Sequence, residues 1–466
     1  MKRFSLCLAV ILVSSIQVVQ AQTDQQIDAY LTTQMNRYHI PGLSLAVVRG
    51  DRVVLQKGYG LANVELAVPA KSESVYMIGS VTKHFTAAGI MMLADEGKIS
   101  LDEKITEYLA DVPDVPAAVT VRHLLSHTSG IVDYTEIPGS IAFARLDRTP
   151  KEVVKPALDL PLKFVPGAKY EYSNTNYILL GMIIERVSKK AYGRFLAERI
   201  FQPLQMTQTR VNAMREVIKN RVAGYNWWRD ALYNGDYGSP SNKWSSGGIV
   251  STVLDLAKWD LALREGKLLK PETARMMLSP TRLADGQQVK YGLGNELFED
   301  RGHRVGGHNG EIFGFNSSFS RYVDDNLTVI LLCNLGDVPS EEFARQIAGL
   351  YLGLPIVTYS QSGIEDKEPE ISTMVKRVIL NAAKGEVEDA LFTMEAQNSL
   401  VPLIKRAGPE LLSQLGALQS FVLLERREEG DTRTYLYRTR FEKQSLIWTF
   451  QLSKDGKISA MEPKPE

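Results

Sequence analysis

Apolar positions near the start of the chain change their period within a few turns. Ile27, Leu31 and Met35 recur at helical spacing, and Pro41-Gly42 ends that helix. Two strands follow, Leu43 to Val48 and Val53 to Lys57, joined by the polar turn Arg49-Gly50-Asp51-Arg52. Far downstream, Phe315 to Tyr322 and Leu327 to Cys333 predict a second hairpin across Asp324-Asp325-Asn326. A helix then opens at Ser340, with Glu341 and Glu342 in its first turn, where carboxylates oppose the positive end of the helix. The stretch between these β-rich regions is mostly helical. The simplest arrangement is an α+β fold in which both ends of residues 22–357 build one antiparallel sheet. Helices cover its faces, a helical subdomain is inserted between, and the cleft separating insertion from sheet is the natural site.

Past Leu354-Pro355 the texture changes, with a polar, acidic stretch from Ser360 to Glu370 and helical patterns from Ile371 to about Leu415. Strand-like runs follow at Phe421 to Leu424, Thr434 to Phe441, Leu446 to Leu452 and Lys457 to Met461. Leu446, Trp448, Phe450 and Leu452 alternate on one face, as do Tyr435, Tyr437 and Phe441, which is the pattern of a half-buried antiparallel sheet. Residues 365–466 are therefore expected to form a small, separate α+β domain.

A chain of 466 residues is long enough for two such cores. Lys+Arg and Asp+Glu both number 54, so no charge excess points to nucleic acid, and a small-molecule or peptide substrate fits better. The first residues carry Lys2 and Arg3, then an apolar run beginning at Leu6, then Val19-Gln20-Ala21. That is the layout of a cleaved secretory signal over residues 1–21, placing the mature protein in the periplasm or outside the cell. A membrane anchor is the competing reading, against which Ser14, Ser15 and Gln17 interrupt a stretch already short for a span. Removal of the signal leaves Cys333 as the one cysteine, expected to be a buried structural thiol.

Three clusters carry candidate chemistry. Ser80-Val81-Thr82-Lys83 opens a segment with Val81, Phe85, Gly89 and Met92 on one helical stripe, which puts the serine at a helix N-terminus and Lys83 one turn away on the same face. A serine hydroxyl needs a base within hydrogen-bond reach, and a lysine serves as that base when desolvation or neighbouring positive charge lowers its pKa. In Tyr170-Glu171-Tyr172-Ser173-Asn174, ahead of an apolar helix, Tyr172 is placed to relay a proton and Asn174 to hold a substrate amide. In Gly306-Gly307-His308-Asn309-Gly310-Glu311, a glycine-rich strand edge leaves the Glu311 N–H to pair with that of Ser80 as an oxyanion hole. Each cluster alone also has an ordinary reading: Ser80 or Asn174 as a helix cap, Tyr172 as packing, His308 as a structural residue.

Taken together and in this order, the clusters resemble the serine β-lactamase and penicillin-binding-protein family, with S-x-x-K at Ser80 and Lys83, Y-x-N at Tyr172 and Asn174, and H-x-G at His308 and Gly310. Gly42 to Val48, His123-Leu-Leu-Ser-His-Thr-Ser-Gly130 and Ser246 to Thr252 reinforce the resemblance, which covers roughly residues 25–350. It implies Ser80 as the acylated nucleophile, Lys83 as proton acceptor and Tyr172 as an aid to leaving-group protonation and deacylation. It also implies substrate binding by Asn174 and by the His308, Gly310 and Glu311 wall. Many β-lactamases carry Lys-Thr-Gly where this chain has His308-Asn309-Gly310, which shifts weight from β-lactams toward esters and D-amino-acid peptides. The carboxy-terminal domain resembles small α+β domains, some of them cystatin-like, appended to such hydrolases.

The expectation is thus an exported serine hydrolase forming an acyl-enzyme on an ester or amide. The alternative is a penicillin-binding sensor or scaffold of the same fold that does not turn over. No cofactor is expected, and the histidines show no metal-ligand spacing such as H-E-x-x-H.

Overall fold

The computed structural model describes residues 21–356, apart from 111 and 113, and residues 363–465. The segment through Gln20, which carries the signal reading, lies outside the described residues. Among those described, no helix is long and apolar enough to cross a membrane. The chain divides into two compact units, Met1–Ile356 and Val357–Glu466.

In the first unit, helix α1 (21–38) leads into strands β1 (Gly42–Arg49), β2 (Arg52–Asn63) and the short β3 (Val68–Pro69). Helices α2 (Thr82–Asp95) and α3 (Asn174–Ser188) belong to the inserted region. The chain then returns with β4 (Glu296–Asp300), β5 (His303–Ile312), β6 (Phe315–Tyr322), β7 (Leu327–Cys333) and helix α4 (Ser340–Tyr351). One seven-stranded sheet results, in the order β4-β5-β6-β7-β1-β2-β3. Its seam is antiparallel, from Leu43 opposite Cys333 to Arg49 opposite Leu327. The second hairpin and the start of α4 fall where the hydrophobic pattern put them, while β2 runs six residues further, to Asn63.

Strand β1 is buried from Gly42 to Val48 because both faces of the sheet are covered. Leu43, Leu45 and Val47 pack with Ile27 and Leu31 of α1 and Phe343 and Ile347 of α4. Ala46 and Val48 point the other way, into the core shared with Phe85 and Ile90 of α2. Truncating Leu45 to alanine would cost about 2–5 kcal/mol by the usual cavity scale.

The expected single stripe on α2 is corrected: every residue from Thr82 to Leu93 is buried, Lys83 and His84 included. The helix lies between the sheet and the other inserted helices, so it has no solvent face. The inserted region also holds strands too short to leave a periodic signal, among them Tyr76–Met77, which pairs with Ile249–Ser251, and the hairpin Tyr225–Trp228 with Ala231–Asn234.

The second unit contains helices α5 (Pro369–Ala382) and α6 (Met394–Leu412) and a four-stranded antiparallel meander, β8 (Leu418–Glu429), β9 (Thr432–Phe441), β10 (Ser445–Leu452) and β11 (Ile458–Pro465). On β10 the alternation is as written in the sequence, with Leu446, Trp448, Phe450 and Leu452 buried and the intervening residues not. They share a core with Tyr435, Tyr437, Val375 and Ile379. The Trp448 indole N–H donates to Thr439 Oγ1 at 2.9 Å, which satisfies the one polar atom that burial would otherwise strand.

Candidate active site

Ser80 sits on a single 3₁₀ turn, Gly79–Val81, that feeds α2. Gly79 takes a left-handed φ of 50°, and a Cβ there would come within 2.8 Å of the Glu311 amide nitrogen. A Cβ on Gly310 would come 2.9 Å from the Ser80 amide nitrogen and 2.2 Å from the Ile78 carbonyl. Only glycine at both positions lets the turn press against β5 and brings the Ser80 and Glu311 amides together.

Lys83 follows one turn later and is fully buried. Its Nζ lies 3.0 Å from Ser80 Oγ, 2.9 Å from Asn174 Oδ1 and 2.7 Å from the Ser246 carbonyl oxygen. Two of these neighbours can only accept, so a neutral amine gives them its two N–H bonds and turns its lone pair to the Ser80 hydroxyl. Burial lowers the Lys83 pKa to about 7, with Asp133 pulling it up and Lys243 pushing it down. The Asn174 amide is oriented from behind: its Nδ2 and its backbone N–H both donate to Asp133 Oδ2, at 2.8 and 2.9 Å, leaving Oδ1 to face Lys83. Asn174 is the first residue of α3, with Ser173 in the cap position, so its side chain is committed to Lys83 and Asp133 and caps nothing.

Tyr172 donates its hydroxyl hydrogen bond to Ser80 Oγ at 2.9 Å. Burial drives its pKa well above the ordinary phenol value, so it stays protonated and acts as a donor. His308 lies in the opposite wall on β5, only 3% exposed. Its Nδ1 is 2.6 Å from the Asn309 carbonyl and its Nε2 is 3.1 Å from the Tyr291 hydroxyl, so both ring nitrogens are engaged within the protein. Burial lowers its pKa to about 3, which keeps the ring neutral. Beside it, Glu296 Oε2 accepts from the Asn309 backbone N–H at 3.2 Å and from Asn309 Nδ2 at 3.1 Å, while Glu341 receives the same side-chain amide. Burial raises both carboxyl groups, Glu296 to about 7.

The sequence-predicted residues Ser80, Lys83, Tyr172, Asn174, His308, Gly310 and Glu311 therefore converge on one cleft. Four others went unsingled. Asp133 and Lys243 tune the lysine, Tyr291 touches the two walls, and Glu296 lines the strand side. None stands in a local motif beside the nucleophile. Tyr291-Gly292-Leu293-Gly294 is the one with a local signal, a glycine-flanked turn before a strand. Among the described residues no group of side chains could hold a metal ion.

A serine with a buried amine at its hydroxyl, a phenol on the same oxygen and two converging amides is the apparatus of a serine hydrolase that works by acyl transfer. The Beta-lactamase family model matches residues 27–352, and the chain belongs to that family. It is 31% identical over 318 residues to penicillin-binding protein 4* of Bacillus subtilis, across 64% of this chain and 69% of that protein. The D-amino acid amidase from Ochrobactrum anthropi SV3, solved with L-phenylalanine amide, is similar at a TM-score of 0.63 and 28% identity, over 71% of this chain and 99% of that one. The octameric penicillin-binding protein homologue from Pyrococcus abyssi shares the fold over 95% of this chain and 96% of its own, with a TM-score of 0.65 and 23% identity.

Proposed function

We propose that the protein is an exported hydrolase that opens a small amide or ester through an acyl-enzyme on Ser80, with D-amino-acid amides and short D-peptides as the first substrates to test. The observation that carries the reading is the buried Lys83 amine, 3.0 Å from Ser80 Oγ with its pKa lowered to about 7. Export rests on Lys2, Arg3 and the apolar run that follows them.

In the first half-reaction the Lys83 lone pair takes the Ser80 proton as Oγ bonds to the acyl carbon. The developing oxyanion sits between the Ser80 and Glu311 N–H groups. Collapse breaks the bond to the leaving group, which departs with the Tyr172 proton, and Tyr172 is reprotonated from the Lys83 ammonium. Water repeats the sequence on the acyl-enzyme and restores Ser80. The strand wall supports a substrate without a carboxylate on that side: in place of a Lys-Thr-Gly cation it presents a neutral His308 with Glu296 and Glu341 nearby. The amidase relative supports the same choice.

Intact mass after exposure to a D-amino-acid amide, an activated ester and a penicillin, followed over time, tests the reading. An adduct mapping to Ser80 that decays with product release is expected. Ser80→Ala should remove it, and Lys83→Ala should slow its formation by roughly 10²–10⁴-fold. An adduct on Ser126 or Ser246 with Ser80 unmodified refutes the assignment, and a Ser80 adduct that never decays would mark a sensor instead of a turnover enzyme.

A further inference from the structure

Across the cleft, His127, Tyr291 and His308 form a chain of hydrogen bonds whose polarity is fixed at both ends by backbone. His127 Nδ1 receives the Ser173 N–H at 3.1 Å, and a backbone N–H can only donate. Burial holds the His127 pKa well below its ordinary value, so the ring is neutral and its proton lies on Nε2. Nε2 faces the Tyr291 hydroxyl oxygen at 3.2 Å. At the other end His308 Nδ1 meets the Asn309 carbonyl, which can only accept, so this ring carries its proton on Nδ1 and offers the Nε2 lone pair to the Tyr291 O–H. One direction satisfies every atom: His127 donates to Tyr291, Tyr291 to His308, and His308 to Asn309.

The same three rings enclose Tyr172. His127 lies against it with ring centroids 4.3 Å apart, His308 is 6.0 Å away, and Tyr291 meets it edge-on at 6.4 Å. Tyr291 is itself held by a built turn. Gly294 has φ 75°, and a Cβ there would fall 2.6 Å from Ala87 Cβ and 3.0 Å from the Lys83 carbonyl, so the turn is seated directly on the helix that carries the base.

We infer that Tyr291 is a positioning residue that clasps the two walls of the cleft, bridging the opposite tautomers that the backbone imposes on His127 and His308, and thereby holds the Tyr172 hydroxyl on Ser80. His308 is then a strut of the strand wall and has no lone pair free for proton abstraction. The inference rests on the proposed Ser80 acyl-enzyme for its kinetic consequence but not for its spectroscopic one.

Nitrogen-15 correlation spectra of the selectively labelled wild-type protein should show His127 protonated on Nε2 and His308 on Nδ1. Either ring in the other tautomer overturns the inference, whatever the enzyme's activity. Tyr291→Phe keeps the ring and deletes the relay. It should slow acylation on the order of ten- to a hundred-fold, the scale of a slightly misplaced reacting group, with KM changed less than about threefold and the adduct still on Ser80. In a Tyr172→Phe background the same substitution should add less than about twofold, because its effect passes through Tyr172. A Tyr291→Phe enzyme that acylates at the wild-type rate, or a penalty undiminished in the Tyr172→Phe background, overturns the inference. Loss of the wild-type Ser80 adduct would instead strike the proposed function.

Discussion

Replacing Lys243 by methionine and Asp133 by asparagine should move the acid limb of acylation in opposite directions. In the proposed mechanism the reactive form of Lys83 is the neutral amine. With a pKa of about 7, about half the enzyme is competent at pH 7 and about a tenth at pH 6, against roughly three in ten thousand at pH 7 for an ordinary lysine. Burial thus supplies on the order of 10³-fold in competent population. Lys243 pushes this pKa down and Asp133 pulls it up. Removing the cation lets Lys83 hold its proton more tightly. A rise of about one pH unit cuts acylation about fivefold at pH 7 and leaves the alkaline plateau unchanged. Removing the carboxylate does the reverse, with a gain of about fivefold at pH 6. Asparagine at 133 retains one oxygen for the Asn174 amide and gives up the acceptor that now receives the Thr135 N–H, so a fall in the plateau reports lost alignment while the shift of the limb reports the charge. Single-turnover acylation by an activated ester from pH 5 to 9 separates limb from plateau. Limbs that shift the same way in both variants, or plateaus that fall while the limbs stay fixed, would refute the assignment of Lys83 as the titrating base.

Three further outcomes follow from the same geometry. Because the folded-state pKa of Lys83 lies below the unfolded value of 10.5, the unfolded chain binds more protons between about pH 7 and 10.5, and stability gains up to about 1.4 kcal/mol per pH unit there; Lys83→Met should remove that slope in urea titrations at pH 7 and 9. Gly294→Ala forces a side chain into left-handed backbone against Ala87 and the Lys83 carbonyl, and should lower stability by about 1–3 kcal/mol and acylation with it, measured by thermal unfolding and single-turnover kinetics. Thr439→Val strands the buried Trp448 indole N–H and should cost about 1–3 kcal/mol in unfolding followed by tryptophan fluorescence.

What could be read ahead of the structure was what lies close along the chain. Ser80 and Lys83 are one helical turn apart, so their contact follows from spacing alone. The Phe315–Tyr322 and Leu327–Cys333 hairpin is legible because a short apolar run, Leu327–Cys333, and the polar turn before it are local signals. The rest of the site is assembled from a distance. Asp133, Lys243 and Tyr291 reach Lys83, Asn174 and His308 only after three separate elements have packed. The Ser246 contact to Lys83 is made by a backbone carbonyl, which any residue possesses, so no side-chain motif could announce it. The short strands around Tyr76 and Ile249 span two or three residues, fewer than a period-2 pattern needs to declare itself.

The seam that sets Leu43 opposite Cys333 also orders events in time. A sheet closed by strands nearly three hundred residues apart cannot be completed until the second of them is synthesised, and such distant closures are the slow steps of folding. The serine turn is translated early, but the Glu311 amide that faces it arrives with β5, on the returning limb of the chain. A nascent or partly folded chain therefore carries Ser80 and Lys83 without the Glu311 amide, the second oxyanion donor of the proposed mechanism. On the proposed mechanism, acylation would reach its full rate only when the last strands dock, an unfinished molecule being slower by the roughly 10²–10³-fold that one oxyanion donor supplies.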